Sequence, residues 1–179
     1  GNLLPLKAYH LGLEAFALAA IPNARYCFVG DGPQRSRLMA MAKKLGVLEQ
    51  VEFRGLLGHA EALRQIHAAT VFVHPSLHDS GGFVCLEAMA GGVPVICLDA
   101  AGSSVVVGDD CGIKIRARTK SEAVMGFASA MCTLSDDTQL RKKKGRAATE
   151  FVRDNFTWSA RGAYFARTYR ELLRVAACE

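Results

Sequence analysis

The segment VFVHPSLHDSGGFVCLEAMAGGVPVICLD, residues 71–99, contains a complete strand–loop–helix–strand unit. Residues 70–76 and 93–99 are short, apolar and rich in β-branched side chains, which is typical of strands covered on both faces of a parallel sheet. Gly81 and Gly82 precede an apolar run that we expect to form a buried helix from about Gly82 onward. The segment therefore predicts a βαβ unit, the repeating element of an α/β fold.

The same alternation extends in both directions along the chain. Strand-like runs precede helix-like runs at 24–30 and 33–46, and again at 51–55 and 60–69, and a further strand is expected at 112–117. The last sixty residues predict helices only, at about 120–135, 137–154 and 159–176. Several βαβ units in series predict a doubly wound, Rossmann-like parallel sheet followed by C-terminal helices.

Composition sets the limits of the interpretation. The chain has 179 residues, half of them hydrophobic and 22% charged, which suits one domain with its own core. It opens with Gly-Asn-Leu-Leu, which we interpret as the inside of a strand, so we expect residues 1–179 to be one domain of a longer protein. The segment between 99 and 112 is expected to be a loop.

Cysteine and charge patterns point to a cytoplasmic protein without a nucleic-acid partner. The six cysteines show neither C-x-x-C nor zinc spacing, which predicts buried free thiols in a reducing compartment. The net charge of +5 is concentrated in RKKKGR, residues 141–146, where no aromatic side chain is available to stack a base. We therefore expect a solvated helix face there, and peripheral membrane association of the full-length protein stays open as an alternative.

Ligands of doubly wound sheets bind beyond the carboxyl ends of the strands. The loops to examine are therefore GDGPQ (30–34), RGLLG (54–58), PSLHDSGG (75–82) and DAAGSS (99–104). The first has two glycines of a dinucleotide fingerprint, but Arg35 replaces the third. A nicotinamide-dependent oxidoreductase is thus disfavoured, and a tight turn is the simpler interpretation.

Two histidines and an acid lie close together near the third loop. A metal site could be imagined from His74, His78 and Asp79, but no helix holds the histidines one turn apart. A structural or substrate-facing histidine is favoured, and no metal is expected.

The third loop combines bare backbone amides with two acids. Gly81 and Gly82 leave amides unshielded at a helix start, which suits a phosphate. Glu87 lies about one turn inside the helix and can lean back toward the same ligand, where a carboxylate is useful only as an acceptor from hydroxyls. With Asp79 on the loop, this arrangement describes a nucleotide sugar. The alternative is a capping Asp79 and a Glu87 on a solvated edge.

Residues 71–99 resemble the signature of the family 4 retaining glycosyltransferases, which have the GT-B fold. That signature has Pro-Ser, an acid, a glycine turn, Leu-Glu-Ala-Met-Ala, Gly and Pro-Val, and its two acids stand eight apart, as Asp79 and Glu87 do. LLPLKAYHLGLEAFA (3–17), FVGDGPQRSRL (28–38) and VEFRG (51–55) are similar to further parts of the family pattern. Nearly the whole chain resembles the C-terminal, donor-binding half.

The resemblance implies a donor-binding set that comprises Lys7, Arg54, Gly55, Gly82, Phe83, Val84 and Glu87. Lys7 and the amides at 82–84 would bind the donor diphosphate, and Glu87 the ribose hydroxyls. Asp79 would contact the transferred sugar, so that Asp79 and Glu87 form the catalytic pair. The backbone at 54–55 would border the base.

The resemblance further implies a metal-independent hexosyltransferase that needs no cofactor and uses a UDP- or GDP-sugar as donor to an acceptor hydroxyl. The N-terminal acceptor domain of the same chain would be its partner, and the isolated fragment would be inactive. Three positions depart from the pattern: Asp79 replaces a usual Glu, Asn2 a frequent Arg, and Ala8 a usual Gly. They leave room for a non-catalytic nucleotide-sugar-binding module.

The last predicted helix carries an apolar stripe. Phe165, Tyr169, Leu172 and Leu173 fall near one face, which we expect to be partly exposed and to pack toward the N-terminal domain. Alternatively, the stripe closes the core of this domain together with Trp158.

Overall fold

The computed structural model describes the backbone of residues 1–176 and the side chains up to residue 173. Within this range the strands are β1 (Tyr26–Phe28), β2 (Val51–Phe53), β3 (Phe72–His74), β4 (Val95–Leu98) and β5 (Gly112–Ile115). The α-helices are α1 (Tyr9–Ala19), α2 (Arg35–Lys44), α3 (His59–His67), α4 (Phe83–Ala90), α5 (Ala101–Val106), α6 (Lys120–Asp136), α7 (Thr138–Asn155) and α8 (Trp158–Ala176). Two short 3₁₀ helices span Pro5–Lys7 and Leu48–Gln50.

Every paired strand runs parallel to its neighbour, as predicted. The pairing forms two ladders, β1–β2 and β3–β4–β5, where the sequence had suggested one sheet. Helix α1 packs against both ladders. At Gly12 the helix lies so close to Tyr26 of β1 and Val73 of β3 that a Cβ would collide with the Tyr26 hydroxyl and touch Val73. The two ladders therefore share one helical layer.

Helices cover both faces of the larger ladder. Along β4, Ile96 and Leu98 belong to the core cluster that includes α1 and α6, whereas Val95 and Cys97 belong to the cluster that includes α4 and α7. All four side chains are buried because alternate residues of a strand point to opposite faces. The prediction of a doubly wound α/β fold is confirmed.

Two local expectations are wrong. Residues 1–4 belong to no strand, and Pro5, which has no amide hydrogen to contribute to a ladder, begins a 3₁₀ helix instead. The expected loop after β4 contains α5, which starts from an extended Ala100 and buries Ser103 and Val106. The 3₁₀ helix has three residues and α5 has six, which is too few for a helical period to be recognised in the sequence.

Helix α8 exposes the predicted stripe. Phe165, Tyr169, Leu172 and Leu173 are 45% to 69% exposed, and Trp158 is 93% exposed. The stripe does not close the core of this domain, and the prediction of an exposed apolar face is confirmed.

Most of the described cysteines are buried or partly buried, and the helices are too short or too polar to span a membrane in the part of the chain that the structure describes. Cys85, Cys97 and Cys111 are buried free thiols, whereas Cys27, expected to be buried, is an exposed one. The prediction for Cys178 lies outside the described residues. Among residues 1–176, no helix combines the length and the apolar character that crossing a bilayer requires.

Candidate functional site

The N-terminal segment crosses the carboxyl ends of β1 and β3. The Leu3 amide donates to the Asp31 carbonyl at 2.8 Å, in the turn after β1. The Leu77 amide, in the loop after β3, donates to the Leu6 carbonyl at 3.0 Å. The segment thereby ties the two ladders together and brings Lys7 to the predicted binding edge.

The turn before α4 packs closely against the start of α5, and a glycine lies on each side of the contact, Gly82 in the turn and Gly102 in α5. Gly82 caps the helix in the left-handed region (φ 61°), and a Cβ there would collide with the side chain of Val106 in α5. Gly102, in the first turn of α5, donates its amide to the Asp79 carbonyl at 2.7 Å. The start of α5 therefore buttresses the turn that begins α4.

Asp79 is the centre of the hydrogen bonds in this turn. Its Oδ1 accepts from the amides of Gly81 (3.3 Å) and Gly82 (3.1 Å). Its Oδ2 accepts from His74 Nε2 (2.8 Å) and lies 3.4 Å from Lys7 Nζ. The side chain is only 12% exposed. The carboxylate is thus fully engaged within the protein, as the capping alternative had it, and it also contacts Lys7.

The environment of Asp79 keeps it ionised. Burial alone would raise the pKa of Asp79, but hydrogen bonds from Gly82, Gly81 and His74 and the charge of Lys7 lower that pKa to about 2. Burial lowers the pKa of His74, against the opposing effect of Asp79. Since a carboxylate only accepts hydrogen bonds, His74 donates from Nε2 as a neutral ring at pH 7.

Two backbone amides at the start of α4 have no acceptor among the described residues. They belong to Phe83 and Val84, the first two residues of the helix. Such amides carry partial positive charge and are suited to an anion. The Phe83 ring, which the sequence pattern placed in the buried helix, is instead 73% exposed because it leans over Gly81.

Glu87 differs from Asp79 because its carboxylate has no partner among the described residues. It is the fifth residue of α4, one turn from the amides, as predicted. Its side chain is partly exposed, and within the described part of the chain no group forms a hydrogen bond or ion pair with its carboxylate. The bond nearest to it joins His67 Nε2 to the Glu87 backbone carbonyl (3.0 Å). A helical carboxylate with free acceptor sites is suited to a ligand that donates hydroxyl groups.

Arg54 and Gly55 lie at the end of the other ladder. The Gly30 amide donates to the Gly55 carbonyl at 2.8 Å, and the Arg54 amide donates to Phe28 at 2.9 Å. The Arg54 side chain is exposed and pairs with Glu52. The structure thus brings Lys7, Asp79 and Gly82 into direct contact, whereas Arg54 and Gly55 form a separate strand end.

The residues 1–176 contain no group of three His, Cys, Asp or Glu side chains that could hold a metal ion. Sequence reasoning favoured a structural or substrate-facing role for His74 over a metal site, but it did not identify the bond from His74 to Asp79. The available signal was a histidine at the last position of an apolar strand, five residues before an acid. The packing of Gly102 on the turn left no recognisable signal.

Known proteins resemble the chain in sequence and in fold. The D-inositol 3-phosphate glycosyltransferase of Streptomyces bingchenggensis is 33% identical over 186 residues, covering 97% of this chain and 40% of the relative. HepE of Anabaena, crystallised with UDP, superposes with a TM-score of 0.83 at 23% identity, over 96% of this chain and 47% of HepE.

A solved C-terminal domain extends the comparison. The C-terminal domain of a glycosyl transferase group 1 family protein of Francisella tularensis gives a TM-score of 0.78 at 22% identity, over 88% of this chain and 84% of that one. These structures confirm the predicted fold, the Rossmann-like half of a GT-B glycosyltransferase. The chain spans about two-fifths of the length of the curated relatives it matches. Residues 1–151 match the family model for glycosyl transferases group 1, and the chain belongs to that family.

Proposed function

We propose that residues 1–179 form the C-terminal, donor-binding domain of a family 4 retaining glycosyltransferase. The whole protein would transfer a hexose from a UDP- or GDP-sugar to an acceptor hydroxyl, in the cytoplasm and without a metal or other cofactor. The observation that carries the proposal is the start of α4. There the Phe83 and Val84 amides and, one turn further on, the Glu87 carboxylate have no partner among the described residues, and Lys7 contacts Asp79 of the preceding turn.

The diphosphate is proposed to bind at this helix start. The amides of Phe83 and Val84 would donate to its oxygens, and Gly82 allows the left-handed turn (φ 61°) from which these amides emerge. Lys7 is 24% exposed and 3.4 Å from Asp79, so its ammonium group can turn toward a phosphate by rotation of its side chain. Positive groups fixed here would stabilise the diphosphate as it leaves the sugar.

The two acids are proposed to bind hydroxyls at opposite ends of the diphosphate. Glu87 would accept both hydroxyls of the ribose, for which its free oxygens are suited. Asp79 would accept from the transferred hexose. All its acceptor positions are occupied, and the 3.4 Å contact with Lys7 is the longest of the four, so that transfer of Lys7 to the phosphate would vacate a position for the sugar.

The base is proposed to lie against the backbone of Arg54 and Gly55. These residues follow β2 at the same edge of the fold, where the N-terminal segment joins the two ladders. UDP in the structure of HepE supports a uridine nucleotide as the first candidate. An N-terminal domain, absent from the 179 residues, would supply the acceptor site.

Calorimetric titration tests the proposal. UDP and GDP are titrated into the 179-residue chain, with NAD as the control, and any nucleotide sugar that co-purifies is identified by mass spectrometry. Binding of UDP or GDP without binding of NAD is expected. If neither diphosphate binds, the donor-site assignment is wrong.

Activity requires the longer protein. The 179 residues alone should bind donor without transferring sugar, because the GT-B active site closes between two domains, whereas the full-length protein should transfer with retained anomeric configuration, as read by NMR of the product. A full-length protein that binds donor and neither transfers nor hydrolyses it would be a binding module.

A further inference from the structure

His74 occupies the last position of β3, directly beneath the donor-site turn. Its side chain is 5% exposed, and its ring stacks on Phe72 with 6.1 Å between the ring centres. The following Pro75 and Ser76 are buried as well. The imidazole is therefore held on a rigid strand end and cannot itself reach a ligand in solvent.

The single polar contact of the His74 ring among the described residues is with Asp79. Nε2 lies 2.8 Å from Oδ2, the shortest of the four contacts of that carboxylate. Asp79 in turn holds Gly81 and Gly82 through Oδ1, and Lys7 through Oδ2. A chain of contacts thus runs from the strand through Asp79 to Lys7 and to the two amides, of Gly81 and Gly82, that precede α4.

We infer that His74 is a positioning residue of the donor site. By donating from Nε2 it fixes the Asp79 carboxylate and, through that carboxylate, the turn that presents the Phe83 and Val84 amides. Until a ligand binds, the same carboxylate also holds the Lys7 ammonium beside the site. The inference rests on the proposed function for its ligand, a nucleoside diphosphate, but the His74–Asp79 contact can be tested without any ligand. Buried side chains that hydrogen-bond to a ligand-binding group commonly determine how accurately that group is placed.

Three replacements separate positioning from bulk packing. His74→Phe keeps the stacked ring and removes the donor. His74→Gln keeps an N–H near the position of Nε2, whereas His74→Asn places its N–H nearer the backbone, at the position of Nδ1. His78→Gln, at an exposed histidine on the same loop, is the matched control. The Gln and Asn variants keep a polar side chain, so their comparison decides the matter even if the Phe variant fails to fold.

The first readout is the titration of the Asp79 carboxyl carbon by NMR, without ligand. We expect the measured pKa to rise by about one unit in the Phe and Asn variants, which is the loss of one hydrogen bond to a charged acceptor, and to return in His74→Gln. The second readout is affinity for UDP and for uridine. UDP affinity should fall about tenfold in the Phe and Asn variants while uridine affinity is unchanged, and Gln should restore it.

Each other result has a definite meaning. Unchanged titration of Asp79 in all three His74 variants would overturn the inference, as would an equal loss of UDP and uridine affinity. If the parent chain binds no nucleotide at all, the proposed function fails, and the titration of Asp79 still decides whether His74 positions that carboxylate.

Discussion

The loop that carries Asp79 and the helical turn that carries Glu87 are adjacent, but their acids have opposite environments. Asp79 is 12% exposed and has four internal partners, whereas Glu87 is partly exposed and has none among the described residues. The sequence offers two similar carboxylates eight positions apart. In the structure, donors of the protein itself occupy the acceptor positions of Asp79, whereas those of Glu87 have no partner among the described residues.

In the proposed donor site, one acid would provide rigidity and the other would remain available to the ligand. A carboxylate whose acceptor positions are filled stabilises the fold and orients its donors. A carboxylate without partners adds no such stability, and its free acceptor sites are useful only when a ligand supplies donors. Variants of the two acids should therefore separate stability from affinity.

The largest effect is expected for Asp79→Asn. The amide cannot accept from Gly81, Gly82, His74 and Lys7 as the carboxylate does, so we expect a loss of about 2 kcal/mol in the free energy of unfolding at pH 7. Chemical denaturation measures the loss. Asp109→Asn is the control, because Asp109 pairs with Lys114 but is 88% exposed, and its replacement should change stability little.

The contribution of Asp79 should also depend on pH in one direction. Its pKa falls from 3.8 to about 2 on folding, so the ionised form stabilises the folded chain above about pH 4. That stabilisation should be lost as the pH falls from about 4 to about 2. The pH profile of unfolding of the parent, compared with that of Asp79→Asn, should differ in this window; parallel profiles would show that the carboxylate is not the source.

The second effect concerns Glu87→Gln, which keeps the shape and removes the charge of the acceptor. Affinity for UDP and for uridine should fall alike, by about 1–3 kcal/mol, if both ribose hydroxyls donate to Glu87. The melting temperature should stay unchanged, in contrast to Asp79→Asn. Glu150→Gln, on an exposed face of α7, is the control. Unaltered affinity with a lowered melting temperature would make Glu87 a structural residue.

A third variant distinguishes the phosphate from the nucleoside. Lys7→Ala should weaken UDP about tenfold and leave uridine unaffected, since the ammonium group addresses the diphosphate. The control Lys43→Ala removes the same charge from the exposed end of α2. Raising the salt concentration should weaken UDP binding to the parent more than to Lys7→Ala. An equal loss for both ligands would place Lys7 elsewhere than at the phosphate.

The sequence predicted those features that repeat along the chain. Five apolar runs and their helices gave the α/β fold, and the glycine–acid spacing gave a helix start with Glu87 one turn inside. It failed for contacts that depend on how the chain packs in three dimensions. The bond from His74 to Asp79, the packing of Gly102 on the turn and the crossing of residues 1–7 over both ladders depend on tertiary geometry, which no local period encodes. The exposed ring of Phe83 lies over Gly81, a local contact that the apolar pattern of the helix does not indicate.

The smallest effect tests the backbone that carries Lys7. Ala8 has φ 47°, in the left-handed region that favours glycine, and its methyl group is 1% exposed. Ala20 has the same φ at the end of α1, but it is exposed. Replacement by glycine relieves about 1 kcal/mol of backbone strain at either position.

At Ala8 the loss of one buried methyl group, about 0.8 kcal/mol, offsets that gain. We therefore expect Ala20→Gly to be the more stable variant by about 0.8 kcal/mol, and Ala8→Gly to resemble the parent in stability and in UDP affinity. Denaturation of both variants side by side measures the difference. If Ala8→Gly weakened UDP binding without loss of stability, the backbone at Ala8, and not the contact with Asp79 alone, would hold Lys7 in place. The position of Lys7 would then depend on both Asp79 and the backbone of the N-terminal segment.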